Sequence, residues 1–203
     1  MKIAIIVEGE TERAFLPHLR RFLKARLAGR MPKLVAARQR GRIPKGDALK
    51  RLVEGLLTYW KEPADAVIAL TDVYTGTKDF SDAADAKAKM RSWVGPNPRF
   101  HPHAAQYDFE AWLLPFWSEI QHLAKSNRTA PGSSPEQVNH GNPPAHRINE
   151  VFRTGGCRHA YVKPRDADRI LQGKDLLVAA QACPELKAFL NTILTLCQAT
   201  PIP

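Results

Sequence analysis

Apolar runs and amphipathic segments alternate along the first half of the chain. Ile3 to Val7 is a continuous apolar run, which is typical of a strand buried on both faces of a parallel sheet. Apolar residues at helical spacing from Phe15 to Leu27 predict a helix after it. The same two patterns then predict a strand over 34–37, a helix over 47–60, a strand over 66–70, a helix over 82–94 and a strand over 100–105. This order, with its short connections, predicts an α/β fold with a doubly wound, mainly parallel sheet of about four strands.

The rest of the chain is predicted to be helical around one long polar loop. An aromatic-rich helix is expected to begin at Phe109. Residues from Ser126 to Pro144 are rich in proline, glycine, asparagine and serine, which indicates a surface loop or insertion. We therefore expect an α/β core over 1–125. Over 126–203 we expect the insertion and C-terminal helices, packed on that core in a single compact domain.

The composition is that of a soluble globular protein. Of the 203 residues, 44% are hydrophobic and 25% are charged. No apolar run approaches the roughly 20 residues that span a bilayer. Glu8 and Glu10 interrupt any N-terminal signal-peptide pattern, and three cysteines without a CxxC pair indicate a reducing compartment. A cytoplasmic protein without membrane attachment is expected.

Basic residues are concentrated near the N-terminus. The formal net charge is +10; residues 1–60 hold 14 lysines and arginines against 5 acidic residues, whereas residues 61–203 hold 16 against 15. This asymmetry favours a polyanionic partner, usually nucleic acid, although a generic basic surface would give the same count. The candidates for contact with a phosphate backbone are Arg20, Arg21, Lys24, Arg38, Arg40 and Arg42.

Acidic residues follow three of the predicted strands. Glu8 comes after the first strand, Asp72 after the third, and Asp108 with Glu110 after the fourth. The carboxyl ends of parallel strands meet at one rim of the sheet, where α/β proteins bind ligands, so these side chains are expected to meet. Clustered carboxylates repel one another without a cation, and hard divalent ions such as Mg²⁺ take oxygen ligands. Beside a basic segment, this pattern predicts metal-assisted phosphodiester chemistry.

Structural roles compete with metal binding at these positions. Asp72 could cap a helix, and Glu110 could face solvent. For Asp108, capping the helix that begins at Phe109 is the favoured interpretation.

Other chemistries have weaker support in the sequence. His101 with His103, and Cys157 with His159, fit no common zinc module, so surface histidines are expected. Gly9 belongs to neither a G-x-G-x-x-G nor a G-K-[ST] motif, so any ATP hydrolysis would come from a partner.

Two short motifs resemble the Toprim domain. This domain is the metal-binding module of type IA and II topoisomerases, DnaG-type primases and OLD-family nucleases. In that family a glutamate follows the first strand within V-E-G, as in Val7-Glu8-Gly9, and Asp-x-Asp follows the third strand. The chain has Asp72-Val73-Tyr74 there, so Tyr74 replaces the second aspartate, and one metal ion is expected rather than two.

A narrower resemblance covers nearly the whole chain. Seven segments are similar, in order and spacing, to a bacterial Toprim-like family catalogued as domain of unknown function 4276: VEGETE, TDVYTG, AQYDFEAWL, PEQVN, HRINEVF, YVKP and ACPELKAFL. The resemblance implies a stand-alone Toprim protein, often encoded beside an AAA or ABC-type ATPase. OLD-like systems of this kind act in defence against phage or plasmids.

The resemblance also implies roles for individual residues. Glu8 and Asp72 would be ligands of Mg²⁺ or Mn²⁺, and Glu8 is a candidate general base. Glu110 is a candidate for the missing third acid. Lys163, in the segment YVKP, is a candidate to stabilise the phosphate in the transition state, with a plain surface lysine as the alternative.

Two functions remain open from the sequence. The leading hypothesis is a metal-dependent phosphodiesterase that cleaves DNA or RNA. Because Tyr74 replaces an aspartate, the alternative is a non-catalytic binding module or regulatory subunit of an ATPase-containing defence complex. A nucleotide-phosphate enzyme on a flavodoxin-like sheet would need a phosphate-binding loop that the sequence lacks. A homodimer is compatible with each of these functions.

Overall fold

A four-stranded parallel sheet forms the centre of the fold in the computed structural model. The structure describes residues 1–39, 41–74, 79–132, 134–139 and 142–203. The sheet has the order β2-β1-β3-β4, and each neighbouring pair is parallel. Its strands are β1 Lys2–Val7, β2 Lys33–Arg38, β3 Ala66–Asp72 and β4 Phe100–Ala105. The predicted parallel α/β sheet is therefore confirmed.

Alternate residues of the central strands face two separate hydrophobic layers. In β1, Ile3 and Ile5 face one layer while Ala4 and Ile6 face the other. This alternation is the period of two that a strand imposes on its side chains. Because both layers are covered by helices, β1 and β3 are apolar at every central position, which is why the sequence showed them as continuous runs.

Two helices cover one face of the sheet and the others cover the opposite face. The first face packs against α2 Gly46–Thr58 and α3 Ala83–Val94. The second face packs against α1 Glu10–Arg26. The helices of the second half of the chain belong to the same hydrophobic layer as α1. These are α4 Trp117–Ala124, α5 Pro144–Thr154, α6 Lys163–Leu171, α7 Leu176–Ala182 and α8 Pro184–Leu196.

Two features of the second half refine the sequence prediction. The segment Phe109–Phe116 is a 3₁₀ helix rather than an α-helix, and it contains Pro115. The polar insertion holds a short 3₁₀ turn, Pro135–Gln137, in which the buried Glu136 accepts hydrogen bonds from Trp112 Nε1 (2.9 Å) and from the backbone of Glu185 (3.1 Å). The described part of this insertion is therefore fixed to the core.

The strand order determines where functional groups can meet. Since all four strands run in the same direction, the segments that follow β1, β3 and β4 leave the sheet at one rim. Pro102 lies on the edge strand β4, the position expected for a residue without a backbone donor. Among the described residues, no helix has both the length and the apolar character needed to cross a membrane.

Candidate metal centre

Glu8 leaves β1 directly at the carboxyl rim. It is buried, and its Oε1 accepts a hydrogen bond from the hydroxyl of Thr71 on the neighbouring strand β3. Burial raises the pKa of Glu8 to about 7, against the opposing effect of the Thr71 hydrogen bond. Gly9 forms the N-cap of α1, so strand, carboxylate and helix follow one another without a loop. Glu8 is therefore a buried carboxylate that titrates near neutral pH.

Glu12 is a site residue that the sequence analysis did not identify. It is buried in the first turn of α1, where its Oε2 accepts a hydrogen bond from the Gly9 backbone at 3.1 Å. Burial raises its pKa first, and the carboxylate of Glu110 raises it further. Helical periodicity could have identified its burial, because Glu12 lies on the same face of α1 as the apolar residues Phe15 and Leu19. An acid at a buried helical position needs a partner or a cation.

Asp72 lies where the other carboxylates converge. It is the last residue of β3 and is half-buried. Its pKa is raised well above the usual range, first by burial and then by four carboxylates: Glu12, Asp108, Glu110 and Glu8. Asp72 does not cap α3, the helix that follows β3 among the described residues. Asp82 is the N-cap of that helix, and its side chain accepts a hydrogen bond from the Asp85 backbone at 2.7 Å. Five carboxylates therefore share one electrostatic environment at the rim.

Asp108 and Glu110 enter the cluster from the end of β4. Asp108 holds the N-cap position of the 3₁₀ helix, as the favoured interpretation expects, but its side chain makes no capping hydrogen bond. Its Oδ2 accepts instead from the Ala145 backbone at the start of α5 (3.1 Å), and Oδ1 is buried without a hydrogen-bond partner among the described residues. Burial and the Glu110 carboxylate raise the pKa of Asp108 to about 7. Glu110 is fully buried, which excludes the alternative that it faces solvent.

Lys163 brings a positive charge to this acidic cluster. Its Nζ donates a hydrogen bond to Glu110 Oε2 at 3.2 Å, although 49% of the lysine side chain is exposed. Burial lowers the pKa of Lys163, but the carboxylates of Glu110, Asp108 and Asp72 outweigh this effect and raise it. The Tyr161 hydroxyl donates to the other oxygen of Glu110 at 3.4 Å. The start of α6 therefore neutralises part of the cluster's charge.

The donor set suits a hard divalent cation, but it is not arranged as a finished chelate. Every candidate ligand is a carboxylate oxygen, and their pKa values are raised first by burial and then by the neighbouring carboxylates, so the charged forms are disfavoured without a cation. Within the described residues, no group of three or more His, Cys, Asp or Glu side chains is close enough together to hold a metal ion. Mg²⁺ commonly uses only one or two carboxylates and keeps several waters, so a pair such as Glu8 and Asp72 fits this requirement.

The predicted basic residues fall into two groups. Arg38 ends β2 beside Val7 and pairs with Glu10. Arg42 is exposed in the segment whose Gly41 backbone donates to the Glu8 carbonyl at 3.2 Å. Both arginines therefore lie near the carboxyl rim, and Arg40 between them lies outside the described residues.

The remaining basic candidates lie farther along α1. This helix begins at the rim and rises about 1.5 Å per residue, so Arg20 is roughly 12 Å beyond Glu12 along the helix axis. Arg20 donates to the Leu34 carbonyl at 3.0 Å, while Arg21 donates to the carbonyls of Leu171 (3.1 Å) and Lys174 (2.8 Å). Lys24 is exposed. Arg20 and Arg21 hold the fold together here, and their contact with nucleic acid stays a prediction.

The histidine and cysteine candidates do not form a zinc site. His103 is buried, with Nε2 at 2.9 Å from Thr192 Oγ1, so the expectation of a surface residue is wrong for it. Burial lowers the pKa of His103 to about 3, which keeps it neutral. Cys157 Sγ donates to the carbonyls of Phe152 and His159. These contacts give His103 and Cys157 structural roles, whereas His101 Nε2 and His103 Nδ1 are buried without a hydrogen-bond partner among the described residues.

A solved structure shows the same fold. The chain is similar to the C-terminal region of the Burkholderia pseudomallei OLD protein, with a TM-score of 0.57 and 13% identity over 97% of this chain and 98% of that chain. The C-terminal region of the Xanthomonas campestris pv. campestris OLD protein gives a TM-score of 0.45 at 11% identity, over 95% and 97% of the two chains. No curated protein matches the chain. Residues 7–194 match the family model described as Domain of unknown function (DUF4276), and the chain therefore belongs to this family.

Proposed function

We propose that this protein is a metal-dependent phosphodiesterase that cleaves DNA or RNA. The observation that carries the proposal is the electrostatic environment of Asp72, whose pKa is raised by burial and by four further carboxylates at one rim of the sheet. Folding repulsive groups together costs free energy, and a divalent cation is the usual compensation. The structural likeness to an OLD protein's C-terminal region supports the fold on which such a site is built.

Each carboxylate has a distinct place in the proposed chemistry. Glu8 and Asp72 would hold Mg²⁺ or Mn²⁺, with Glu12 close by, and Glu110 would join after release from Lys163. The bound ion would polarise the scissile phosphate and lower the pKa of a coordinated water. Glu8 would also be the general base that accepts the proton of the attacking water; its pKa of about 7 is that of the metal-free protein, and a bound cation would lower it.

Lys163 is the candidate for charge stabilisation at the phosphate. Its side chain is half exposed at the start of α6, so the ammonium can turn from Glu110 towards a bound phosphate. An ammonium group placed against the phosphoryl oxygens stabilises the charge that develops there in the transition state. If the Lys163 ammonium moved from Glu110 to the phosphate, the Glu110 carboxylate would also become available to the metal ion.

Basic residues near the rim would hold the phosphate backbone. Arg38 and Arg42 lie close to Glu8, and they can bind phosphates without reading the base sequence. Arg20, Arg21 and Lys24 would extend this surface along α1. We include a role in bacterial defence against phage or plasmids, with an AAA or ABC-type ATPase as partner, on the basis of the sequence resemblance given above.

The alternative is a non-catalytic module of such a complex. Two observations favour it: Tyr74 stands where the Toprim motif has an aspartate, and Lys163 occupies Glu110. Titration calorimetry with Mg²⁺ and Mn²⁺ separates the two functions. A binding module would show no binding of either ion that depends on Asp72.

The proposed activity is tested by cleavage of single- and double-stranded DNA and RNA with Mg²⁺ or Mn²⁺. We expect Glu8→Gln to reduce the rate by a factor of 100 or more, because one ligand and the general base are lost together. The matched control is Glu54→Gln, which removes an exposed carboxylate on α2. Equal rates in the wild type and Glu8→Gln would exclude this mechanism.

A further inference from the structure

Two tyrosines form an aromatic pair that the proposed chemistry does not use. The rings of Tyr74 and Tyr107 have centroids 5.2 Å apart and are inclined by 52°. Tyr74 is 41% exposed and Tyr107 is half-buried. Tyrosine rings carry a large apolar surface, so an exposed pair of this kind is a candidate contact for a flat apolar ligand.

The pair lies in the two segments that follow β3 and β4 at the carboxyl rim. Ile68 and Leu70 of β3 face the layer that contains α1, and Asp72, the last residue of the strand, is next in this alternation. Beyond the ends of β3 and β4, the Tyr74 backbone donates to the Tyr107 carbonyl at 2.6 Å, which joins the two segments that follow these strands. Tyr107 directly precedes Asp108 in the chain, so both rings are attached within two residues of a clustered carboxylate.

The position of the two rings is fixed by the surrounding structure. Tyr107 has a backbone φ of +68°, a left-handed conformation that is unfavourable for a bulky residue and persists only where the surrounding structure holds it. Tyr74 is held at its other end, where its hydroxyl accepts a hydrogen bond from Asn139 Nδ2 at 2.8 Å. A ring that is already held in place loses little conformational entropy when a ligand stacks on it.

We propose that Tyr74 and Tyr107 stack an unpaired nucleobase of the strand whose phosphate lies at the carboxylate cluster. This inference rests on the proposed function and names its substrate class: single-stranded or frayed nucleic acid. In a duplex both faces of each base are covered by neighbouring bases, whereas in a single strand they are open to aromatic side chains. Stacking also contributes binding free energy at a place where the carboxylates repel the phosphate backbone.

Binding measured without divalent ions tests the stacking separately from cleavage. The probes are a labelled 12-residue oligothymidylate, an abasic phosphodiester of equal length and a duplex of equal length, followed by fluorescence polarisation. The wild type should bind the oligothymidylate at least about 5-fold more tightly than the abasic strand, because stacking of one base is worth about 1–3 kcal/mol. The duplex should bind more weakly than the oligothymidylate.

Three variants of Tyr74 make the result specific. Tyr74→Phe keeps the ring and should keep the preference for bases. Tyr74→Leu keeps apolar volume without an aromatic face, and Tyr74→Ala removes both; each should reduce the preference to about 2-fold or less. Circular dichroism checks that each variant is folded, and Tyr74→Leu serves as the test if Tyr74→Ala does not fold.

The outcomes distinguish the stacking from the chemistry. Equal affinity of the wild type for the oligothymidylate and the abasic strand would overturn the stacking, as would an undiminished preference in folded Tyr74→Leu. Tighter binding of the duplex would also overturn it. A base preference without any metal-dependent cleavage would support the stacking and reject the nuclease, whereas cleavage without a base preference would do the reverse.

Discussion

Lys163 and Glu110 form an ion pair across 53 positions of the chain, with Nζ at 3.2 Å from Oε2. The glutamate is fully buried, and the lysine is half exposed. A buried carboxylate that loses its cation leaves an uncompensated charge in a poorly solvated place. We therefore expect the pair to stabilise the folded protein without metal, and in the proposed function Glu110 would become a ligand when Lys163 leaves it.

Removing this lysine should destabilise the metal-free protein. We expect Lys163→Met to lower the free energy of unfolding by about 2 kcal/mol, since a charged hydrogen bond to a buried group is lost. Urea unfolding in the presence of a chelator measures this change in the free energy of unfolding. Lys50→Met, which changes an exposed lysine on α2, should have an effect below about 0.5 kcal/mol.

A double-mutant cycle separates this pairing from other effects of the substitution. In the Glu110→Gln background, Lys163→Met should cost clearly less than in the wild type, because the buried charge is absent. Strictly additive effects of the two substitutions would mean that the ion pair contributes nothing to stability.

The metal-free protein should lose stability as the pH rises through the range in which Glu8 titrates. The folded state keeps the Glu8 proton up to about pH 7, whereas the unfolded chain releases it near 4.5, so the folded state binds more protons between these values. The contribution is complete above pH 7 and amounts to about 3 kcal/mol of destabilisation. Relative to the wild type, Glu8→Gln should therefore become more stable as the pH increases from 5 to 8.

The difference between the two unfolding curves isolates this residue from the other titrating groups. Urea unfolding at several pH values gives that difference directly, and Glu54→Gln should run parallel to the wild type. A constant difference between Glu8→Gln and the wild type across this range would contradict a raised pKa for Glu8.

Binding of a divalent ion should depend on the buried acids and stabilise the fold. At an ion concentration 100 times the Kd, Mn²⁺ should raise the free energy of unfolding by about 2.7 kcal/mol. Asp72→Asn should abolish this gain, and Glu12→Gln should weaken binding by about 10-fold. Calorimetry and thermal unfolding measure both effects, with Asp47→Asn as a control on an exposed carboxylate. Unchanged binding in Asp72→Asn would place the ion elsewhere.

Salt dependence should separate the arginines that bind nucleic acid from those that hold the fold. For single strands, each lost phosphate contact lowers the slope of log K against log salt by about 0.7. We expect this change for Arg42→Gln, which makes no described hydrogen bond to the fold. Arg21→Gln should instead reduce stability, because the carbonyls of Leu171 and Lys174 lose their donor. The slope is measured by titrating an oligonucleotide at several salt concentrations.

The sheet could be predicted from the sequence because β1 and β3 are buried on both faces. Burial on both faces requires a continuous run of apolar residues. The acidic residues that directly follow these runs are therefore expected at the carboxyl rim of the sheet. Glu8, Asp72 and Glu110 were predicted as site residues in this way, and their roles stay a prediction. The electrostatic effects on Asp72 agree with the expectation that these acids meet.

The missed features depend on contacts between distant segments. Glu12 looked like an ordinary first-turn acid that favours the helix dipole, and only its burial reveals a second role. The pairing of Lys163 with Glu110 could not be predicted from sequence periodicity, because the two residues lie 53 positions apart. The segment from Phe109 to Phe116 has apolar residues that fit either helix type, so its 3₁₀ geometry could not be read from their spacing.

The order of synthesis has a consequence for this site. All five carboxylates belong to the first 110 residues, but the backbone donor at Ala145 and the ammonium of Lys163 leave the ribosome later. Until those segments emerge, a nascent chain holds repelling acids without their internal partners. The proposed metal centre should therefore form only near the end of translation, and truncated products should be unable to assemble it.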